Sequence, residues 1–403
     1  MWLILAALHA ALVSVADVLF NLIAVDSYEV TAIELGLLNA AWTLAFVVSV
    51  RTVGRVADLG SPRSAMLVSA MTFNSSLALL FLSRSLTGLA AAYCLHAVAA
   101  SLVRPSVTSA LTEVDLGPSW ASSVKRFLSL AILLEGACLL LISRILSTNV
   151  EALTLCGPLA LAALLIDSLA ILLFPEVVIP LQRKVYSIER SLRSLESRAK
   201  FVELLSLFSS SPSSPFPDRL RKASRMLARG ASLRSVLIGL VALRLSSELA
   251  LTPLPYVLLG PARLEANEVA LIYGCAKLAA SLLMLIFPVI SAGSLSLLAI
   301  ARASAFSLLL LYGAREGDVL ALSLALAAIY MLNGLADAAL YASFLDNTSG
   351  YRSGLYVIVA ESTNFLGSLA SGYVFNEVGL LGIAVAVAAL SALKAALFSR
   401  NRA

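Results

Sequence analysis

The sequence is poor in charge. Only 13% of its 403 residues are Asp, Glu, Lys or Arg, whereas 60% are hydrophobic. A soluble domain usually carries about a quarter charged residues, so this composition argues against a large soluble helical protein. β-branched alternation is also rare, which argues against a membrane β-barrel. The chain has instead apolar segments of about 20 residues along its whole length, which is the length a helix needs to cross a bilayer.

Residues that build catalytic and metal sites are scarce. The chain has two histidines and four cysteines, and no two cysteines have the spacing of metal ligands. It contains no His-Glu-x-x-His, no Gly-x-Ser-x-Gly and no Gly-x-x-x-x-Gly-Lys-Ser/Thr phosphate loop. We therefore expect no metal, no cofactor and no enzymatic activity, and an ATP-driven pump is disfavoured.

Turns and charges divide the chain into twelve apolar spans. They are predicted at residues 2–25, 31–50, 64–83, 86–110, 124–146, 151–174, 233–259, 265–290, 293–313, 317–344, 352–374 and 378–398. The first is interpreted as a membrane helix and not as a signal peptide, because it has no basic leader and no small-residue cleavage site. The predicted fold class is an all-α membrane protein. Two six-helix bundles, residues 1–174 and 233–403, flank a long central loop, residues 175–232.

The central hydrophilic segment is basic. Residues 175–234 hold 12 Lys or Arg against 5 Asp or Glu. By the positive-inside rule this loop lies in the cytoplasm, and with it both termini of a multi-pass protein of the cell membrane. Apolar residues recur in the loop at steps of three and four, which predicts amphipathic helices on the membrane surface. Beside membrane spans, lipid is a better explanation for the basic charge than nucleic acid, and we expect no nucleic-acid partner.

GRVADLGSPRS lies between spans 2 and 3, and RSLTGLAAA opens span 4. Both stretches resemble motifs of the major facilitator superfamily of transporters. The first is similar to the signature loop Gly-x-Leu-Ala-Asp-Arg-x-Gly-Arg-Lys at Gly54, Asp58, Gly60 and Arg63, with one residue fewer between Asp58 and Gly60. The resemblance implies a conformational latch, in which Asp58 pairs with an arginine across the interface between the halves. The alternative is that the arginines of this loop serve membrane topology alone.

The second motif opens span 4. RSLTGLAAA is similar to the family pattern Arg-x-x-Gln-Gly-x-Gly-Ala-Ala at Arg84 and Gly88, with Thr87 in place of glutamine. Together with the six-plus-six layout, the resemblance covers the whole chain. It implies a secondary active transporter, expected as a monomer, that moves a small solute by alternating access around a midplane site. Protons are one option for the coupling ion. The alternatives are a non-transporting membrane sensor or scaffold of transporter fold and, less favoured, a membrane-embedded enzyme.

Ionisable residues inside the spans are candidates for the solute and proton cavity, because a charge at that depth is costly. Spans 1, 4, 7 and 10 line the cavity in the resembled family, and here each carries a polar helical face. The candidates on these faces are Asp17, Asn21, His96, Arg244, Glu248, Asn333 and Asp337. A neutralising pair of Arg244 with Glu248, four residues apart, is an equally good reading of those two.

Spans 5 and 11 carry matching glutamates. Glu135 and Glu361 each follow a basic residue at the edge of their span by nine positions, which places both carboxylates near the bilayer midplane. We expect Glu135, in apolar surroundings, to carry protons, and Glu361 with Asn364 to contact the solute. The alternative is that either glutamate merely pairs with a base such as Lys277 or Arg244. His9, Asp167 and Arg302 are interpreted as packing or structural residues, and Lys394 as a lysine that reaches the membrane surface.

Overall fold

The computed structural model describes residues 1–52, 61–114, 120–148, 150–176, 233–286, 295–313, 317–348 and 353–399. All regular secondary structure in these ranges is helical, so the all-α class is confirmed. The predicted central loop lies almost wholly outside the described residues.

The first six long helices follow the predicted spans closely. They are α1 (Trp2–Asp26), α2 (Ala32–Thr52), α3 (Pro62–Leu82), α4 (Leu86–Val114), α5 (Trp120–Leu146) and α6 (Cys156–Leu173), the last preceded by a 3₁₀ turn at Ala152–Leu155. Local chemistry sets where two of them begin. The Ser61 hydroxyl caps α3 by accepting from the backbone N–H of Ser64. Thr31 and Glu34 exchange side-chain and backbone hydrogen bonds at the start of α2, as in a capping box.

The remaining helices depart from the predicted spans in two places. They are α7 (Leu233–Leu251), a short helix (Leu254–Leu259), α8 (Ala266–Ile286), α9 (Leu295–Ser307) with a π-helical turn (Leu308–Gly313), α10 (Val319–Thr348) and α11 (Ser353–Ser399). Span 7 breaks before Leu254, where Pro253 has no N–H to continue the helix. Spans 11 and 12 form one helical run, α11, that is interrupted at Gly379 with φ at +64°. The left-handed φ suits glycine and separates the two spans.

Ten of the described helical segments are long and apolar enough to cross a membrane, with the whole of α11 counted once. The segment Leu295–Leu310 is apolar but shorter. The protein is therefore a multi-pass membrane protein built from helices.

Helices from the two halves of the chain pack in two pairs, α2 against α11 and α5 against α8. Glycines allow close approach in both pairs. A Cβ at Gly372 would overlap the backbone carbonyl of Ala32, and a Cβ at Gly136 would lie 2.9 Å from the backbone nitrogen of Leu278. A third contact joins α1 to the short helix Leu254–Leu259. These contacts bring the polar faces of both halves to a common interface.

Candidate functional site

The polar residues of α1 and α4 meet in one hydrogen-bonded network. The hydroxyl of Tyr93 on α4 donates to Oδ1 of Asp17 at 2.7 Å and accepts from Nδ2 of Asn21 at 3.1 Å. Asn39, on α2, donates to Oδ1 of Asn21 at 2.8 Å. Asp17 thus has no basic partner among the described residues, and its carboxylate accepts a hydrogen bond from the Tyr93 hydroxyl instead. Asn39 was missed from the sequence because α2 shows no polar stripe.

His96 lies beside this network and is fixed in one tautomer. Its Nδ1 accepts from the indole nitrogen of Trp42 at 2.9 Å, and its Nε2 lies 2.8 Å from the backbone carbonyl of Val13. An indole N–H only donates and a carbonyl only accepts, so the imidazole is neutral and carries its proton on Nε2. Both nitrogens are occupied in this state, and the ring stacks on Tyr93 with centroids 5.9 Å apart.

Glu135 forms an ion pair that crosses between the two halves. Its Oε1 lies 3.0 Å from Nζ of Lys277 on α8, and the carboxylate side chain is almost fully buried. The same ammonium lies 4.3 Å from the centroid of the Tyr330 ring on α10. Glu135 therefore has a basic partner in this structure, and its proton role stays a prediction. The alternative, a pair with Lys277, describes this state.

A cavity of about 180 Å³ adjoins Glu135. It lies between α1, α4 and α5, and its polar lining comes from Ser14, Arg104 and Glu135. A larger cavity of about 560 Å³ lies between α9 and the end of α11, and none of the predicted site residues lines it. The smaller cavity therefore leaves space beside Glu135 among the N-terminal helices.

The acids of α7 and α10 pair differently from the sequence expectation. Arg244 forms an ion pair with Asp337, with 2.8 Å between Nη2 and Oδ1, and Tyr356 donates to the same oxygen at 2.8 Å. Glu248 accepts hydrogen bonds from Thr252 and from Ser368 on α11. The anticipated Arg244–Glu248 pair is therefore not the direct contact, because Arg244 reaches across to α10.

Glu361 and Asn364 lie together on α11, as predicted. Nδ2 of Asn364 donates to Oε2 of Glu361 at 3.0 Å, and Glu361 interacts electrostatically with Arg244. Oδ1 of Asn364 and Nε of Arg244 are buried and have no hydrogen-bond partner among the described residues. The carbonyl oxygen of Asn364 and the Nε–H of Arg244 are therefore an acceptor and a donor without hydrogen bonds beside the charges of this network.

Asn333, on α10, accepts a hydrogen bond from a buried arginine, Arg302. Arg302 of α9 is 1% exposed and donates to Oδ1 of Asn333, to the hydroxyls of Ser246 and Ser247, and to the carbonyl of Leu243. This supports the structural interpretation of Arg302. Lys394 is also 1% exposed, so the expectation that it reaches the membrane surface is wrong.

Most of the predicted latch cannot be compared with the structure, because Gly54, Asp58 and Gly60 lie outside the described residues. Arg63 is described, and its partners lie in the last turn of α6 and just after it. It donates to the carbonyl of Ile171 at 3.1 Å and lies 3.4 Å from Glu176. The latch across the halves stays a prediction.

In the span-4 motif, Gly88 has a steric reason and Arg84 is exposed. A Cβ at Gly88 would overlap the Ser83 hydroxyl, so only glycine fits this turn at the start of α4. The backbone N–H of Gly88 donates to the Ser85 hydroxyl. Within the described ranges no three His, Cys, Asp or Glu side chains group as metal ligands.

Solved structures of transporters have a similar fold over nearly the whole length of this chain. One is described as a POT family transporter in complex with 5-aminolevulinic acid, with a TM-score of 0.63, 14% identity, and coverage of 99% of this chain and 94% of that one. Another is described as giving structural insights into substrate recognition in proton dependent oligopeptide transporters, with a TM-score of 0.69, 14% identity, and coverage of 100% and 96%. The POT family belongs to the major facilitator superfamily, so the predicted major facilitator fold is confirmed.

Sequence comparison adds no closer relative. No family model matches the chain. No curated protein sequence matches it either. At 14% identity the structural similarity establishes the fold, and the function has to be argued from the residues of this chain.

Proposed function

We propose that the protein is a secondary active transporter that moves a small solute across the cell membrane by alternating access. The observation that carries this proposal is the meeting of costly intramembrane charges from both halves at one interface. Glu135 of the N-terminal helices pairs directly with Lys277 of the C-terminal helices, and Tyr93, which binds Asp17, interacts electrostatically with Glu248. Such residues in membrane helices mark solute and ion pathways by default.

The proposed architecture has twelve spans in two six-helix bundles, residues 1–174 and 233–403. Two facts support the count beyond the ten membrane-length segments. The run α11 is 47 residues long and is interrupted at Gly379, so it provides two spans. The helix α9 with its π-helical turn lies within predicted span 9, residues 293–313, and is apolar. We place the basic segment 175–232 and both termini in the cytoplasm, with the protein as a monomer.

The site residues support a solute that carries an amino group, either as a cation or as a zwitterion. Carboxylates are in excess over bases in the network, and Asp17 and Glu248 are each held by neutral donors. Arg244, which keeps an unbonded Nε, and Lys277, once Glu135 is protonated, are the proposed partners of a carboxylate at the other end of a zwitterion. The similar structures are described with 5-aminolevulinic acid and as oligopeptide transporters, and such solutes have both ends.

Proton coupling is part of the proposal, with Glu135 as the group that exchanges the proton. In this state Glu135 neutralises Lys277, and a cavity of about 180 Å³ adjoins Glu135. A proton on Glu135 would release Lys277 for a solute carboxylate. Asp58 and Arg63 belong to the signature loop, and we propose that this loop stabilises the outward-facing state.

Uptake into vesicles containing the purified protein tests the proposal. Labelled 5-aminolevulinic acid, a dipeptide, tetraethylammonium and glucose serve as zwitterionic, cationic and neutral probes, each with and without an inward proton gradient. We expect gradient-stimulated uptake of an amino-bearing probe, absent from protein-free vesicles and strongly reduced by Asp17→Asn. A probe that raises the melting temperature of the protein without being taken up would favour the sensor instead.

The proposed topology has its own test. A single cysteine placed at Ser211, in the basic loop, should not react with an impermeant thiol reagent added outside intact cells, whereas it should react after the cells are opened. Rapid labelling from outside would place the loop on the other side of the membrane.

A further inference from the structure

His9 and Asp167 form a buried pair in the N-terminal helices, apart from the central network. His9 lies on α1 and is 0% exposed, and Asp167 lies on α6 and is 2% exposed. The distance between Nδ1 of His9 and Oδ1 of Asp167 is 2.6 Å. Neither residue contacts the Asp17, Glu135 or Arg244 groups through a hydrogen bond, so the transport site does not account for them.

The hydrogen-bond partners fix the number of protons on this pair. The Ser69 hydroxyl donates to the carbonyl of Ala99 at 2.9 Å, so it can only accept from Nε2 of His9, 3.0 Å away. Nε2 therefore carries a proton. The 2.6 Å contact between Nδ1 and the carboxylate needs a proton as well, because two lone pairs at that distance repel each other. The pair thus holds one proton more than a neutral histidine beside an ionised aspartate.

The other oxygen of Asp167 is also bonded, and a polar atom beside it is open. Nδ2 of Asn74, on α3, donates to Oδ2 of Asp167 at 2.7 Å. Oδ1 of the same asparagine is buried and has no hydrogen-bond partner among the described residues. One buried acceptor beside the pair is therefore left without a hydrogen bond.

The charged groups on the surrounding helices have partners or positions away from His9 and Asp167. Arg63, on α3, bonds to Ile171 and Glu176. On α4, His96 is separated from His9 by the ring of Phe73, and Arg104 lines the cavity at Glu135. Asp17, the next acid on α1, lies eight residues further along, about 12 Å at 1.5 Å per residue. No other described charge therefore balances the pair, and the extra proton keeps it neutral in a membrane interior.

We propose that His9 and Asp167 are a buried proton-binding site of the N-terminal helices, separate from the carboxylates of the central network. Loss of its proton leaves an ionised carboxylate against the lone pair of Nδ1, where α1 packs on α3 and α6. Protonation of this pair therefore affects how α1 packs against its neighbours. α1 is also the helix that carries Asp17 and Asn21. This inference stands on the geometry of the pair and does not need the transport activity.

The chain has only two histidines, His9 and His96, so nitrogen NMR of the ring atoms can test the site directly. The full-length protein is labelled with [¹⁵N]histidine, placed in lipid bilayers and measured from pH 5 to pH 9. Trp42→Phe, which removes the donor to His96, assigns the signals. At pH 7 we expect His96 to show a protonated Nε2 and a bare Nδ1, whereas Nδ1 of His9 is protonated or shifted by proton sharing.

Two aspartate substitutions complete the experiment. Asp167→Asn replaces the carboxylate by an amide, so Nδ1 of His9 should become bare at pH 7, while unchanged His96 signals report that the helices still pack. Asp17→Asn removes the other acid of α1 and should leave the His9 signals as they are. A bare Nδ1 of His9 in the wild-type protein at pH 7 would overturn the proposal, whether or not Asp167→Asn folds. So would a His9 signal that is indifferent to Asp167→Asn in a folded protein.

Discussion

Arg302 and Lys394 are buried to the same extent, but only the arginine is hydrogen-bonded. The guanidinium of Arg302 donates to four acceptors, and its Cζ lies 4.8 Å from the ring centroid of Phe306. Nζ of Lys394 has no hydrogen-bond partner among the described residues. A buried polar group without a partner costs free energy that an apolar group of similar size does not.

We therefore expect opposite effects from the same replacement at the two positions. Lys394→Met should raise the free energy of unfolding by about 1 kcal/mol or more, because it removes an unsatisfied ammonium. Arg302→Met should lower it by about 2 kcal/mol or more, because it leaves several buried acceptors without a donor. Thermal unfolding of the two purified variants in one detergent measures the difference. A lower melting temperature for Lys394→Met would indicate that its ammonium has a partner.

The Glu135–Lys277 pair makes a second prediction at the level of single residues. Glu135→Gln leaves a buried ammonium unpaired, and breaking a buried ion pair from one side typically costs about 3–5 kcal/mol. The double variant Glu135→Gln with Lys277→Gln removes both charges and should recover most of that loss. Glu361→Gln is the matched control, since Glu361 is hydrogen-bonded to Asn364 and makes no direct ion pair among the described residues.

The outcome separates a structural pair from a proton carrier. If the double variant is as unstable as Glu135→Gln alone, the ion pair does not hold the halves together in solution. If Glu135→Gln remains stable and only loses the pH dependence of uptake, the proton role proposed for Glu135 gains support over the purely structural one.

Sequence periodicity located the polar residues but not their partners. Steps of three and four residues placed Asp17 with Asn21, and Asn333 with Asp337, on single helical faces. The direct contacts of Asp17 with Tyr93 and of Asp337 with Arg244 depend on how each helix is rotated against its neighbour. Spacing within one helix carries no such information. The pair of His9 with Asp167 was missed for the same reason, because 158 residues separate its members.

At the scale of the helices, small residues decide where the two halves can touch. The close contact of α2 with α11 depends on Gly372, which faces the backbone of Ala32. The contact of α5 with α8 depends on Gly136, next to the ion-paired Glu135. Glycines therefore set the distance across which Glu135 reaches Lys277.

Adding one methyl group tests this contact. Gly372→Ala should separate α2 from α11 and destabilise the protein by about 1–3 kcal/mol, because the added Cβ overlaps a backbone carbonyl that cannot move alone. Gly157→Ala, on α6, is the matched control. Its Cβ would meet only the Phe81 ring at ordinary contact distance, 3.4 Å, and alanine favours the helix. Equal melting temperatures for the two variants would contradict the close contact at Gly372.

Helix ends and breaks were predicted unevenly. Ser61 with Pro62 and the pair Thr31–Glu34 are start signals, and α3 and α2 begin there. The break of span 7 follows from Pro253, whose signal was present in the sequence but was outweighed by the apolar run. The sequence predicted a gap at residues 375–377, whereas α11 is interrupted two residues later, at Gly379 inside predicted span 12.

For the whole molecule, alternating access requires that one end of the interface opens when the other closes. In this structure α1 contacts the short helix Leu254–Leu259, and this contact joins the two halves. The pairs α2–α11 and α5–α8 run along the sides of the interface and can act as the axis of rocking. In the proposed transport cycle, the contact of α1 with the short helix is then the one that we expect to break.

Spin-label distances in lipid nanodiscs can follow both ends of the interface. Labels at Ser27 and Arg263 report the end where α1 finishes, and labels at Thr52 and Arg234 report the opposite end. Between pH 5 and pH 8, or on adding a transported solute, we expect a second population in which the first distance is longer and the second is shorter. The two changes should be coupled, because rigid halves that rock about a central axis close one end as they open the other. Labels at Ser27 and Ser85, both within the N-terminal helices, should keep one distance throughout. Two end distances that lengthen together would describe a swelling of the bundle, and rocking of the halves would then be wrong.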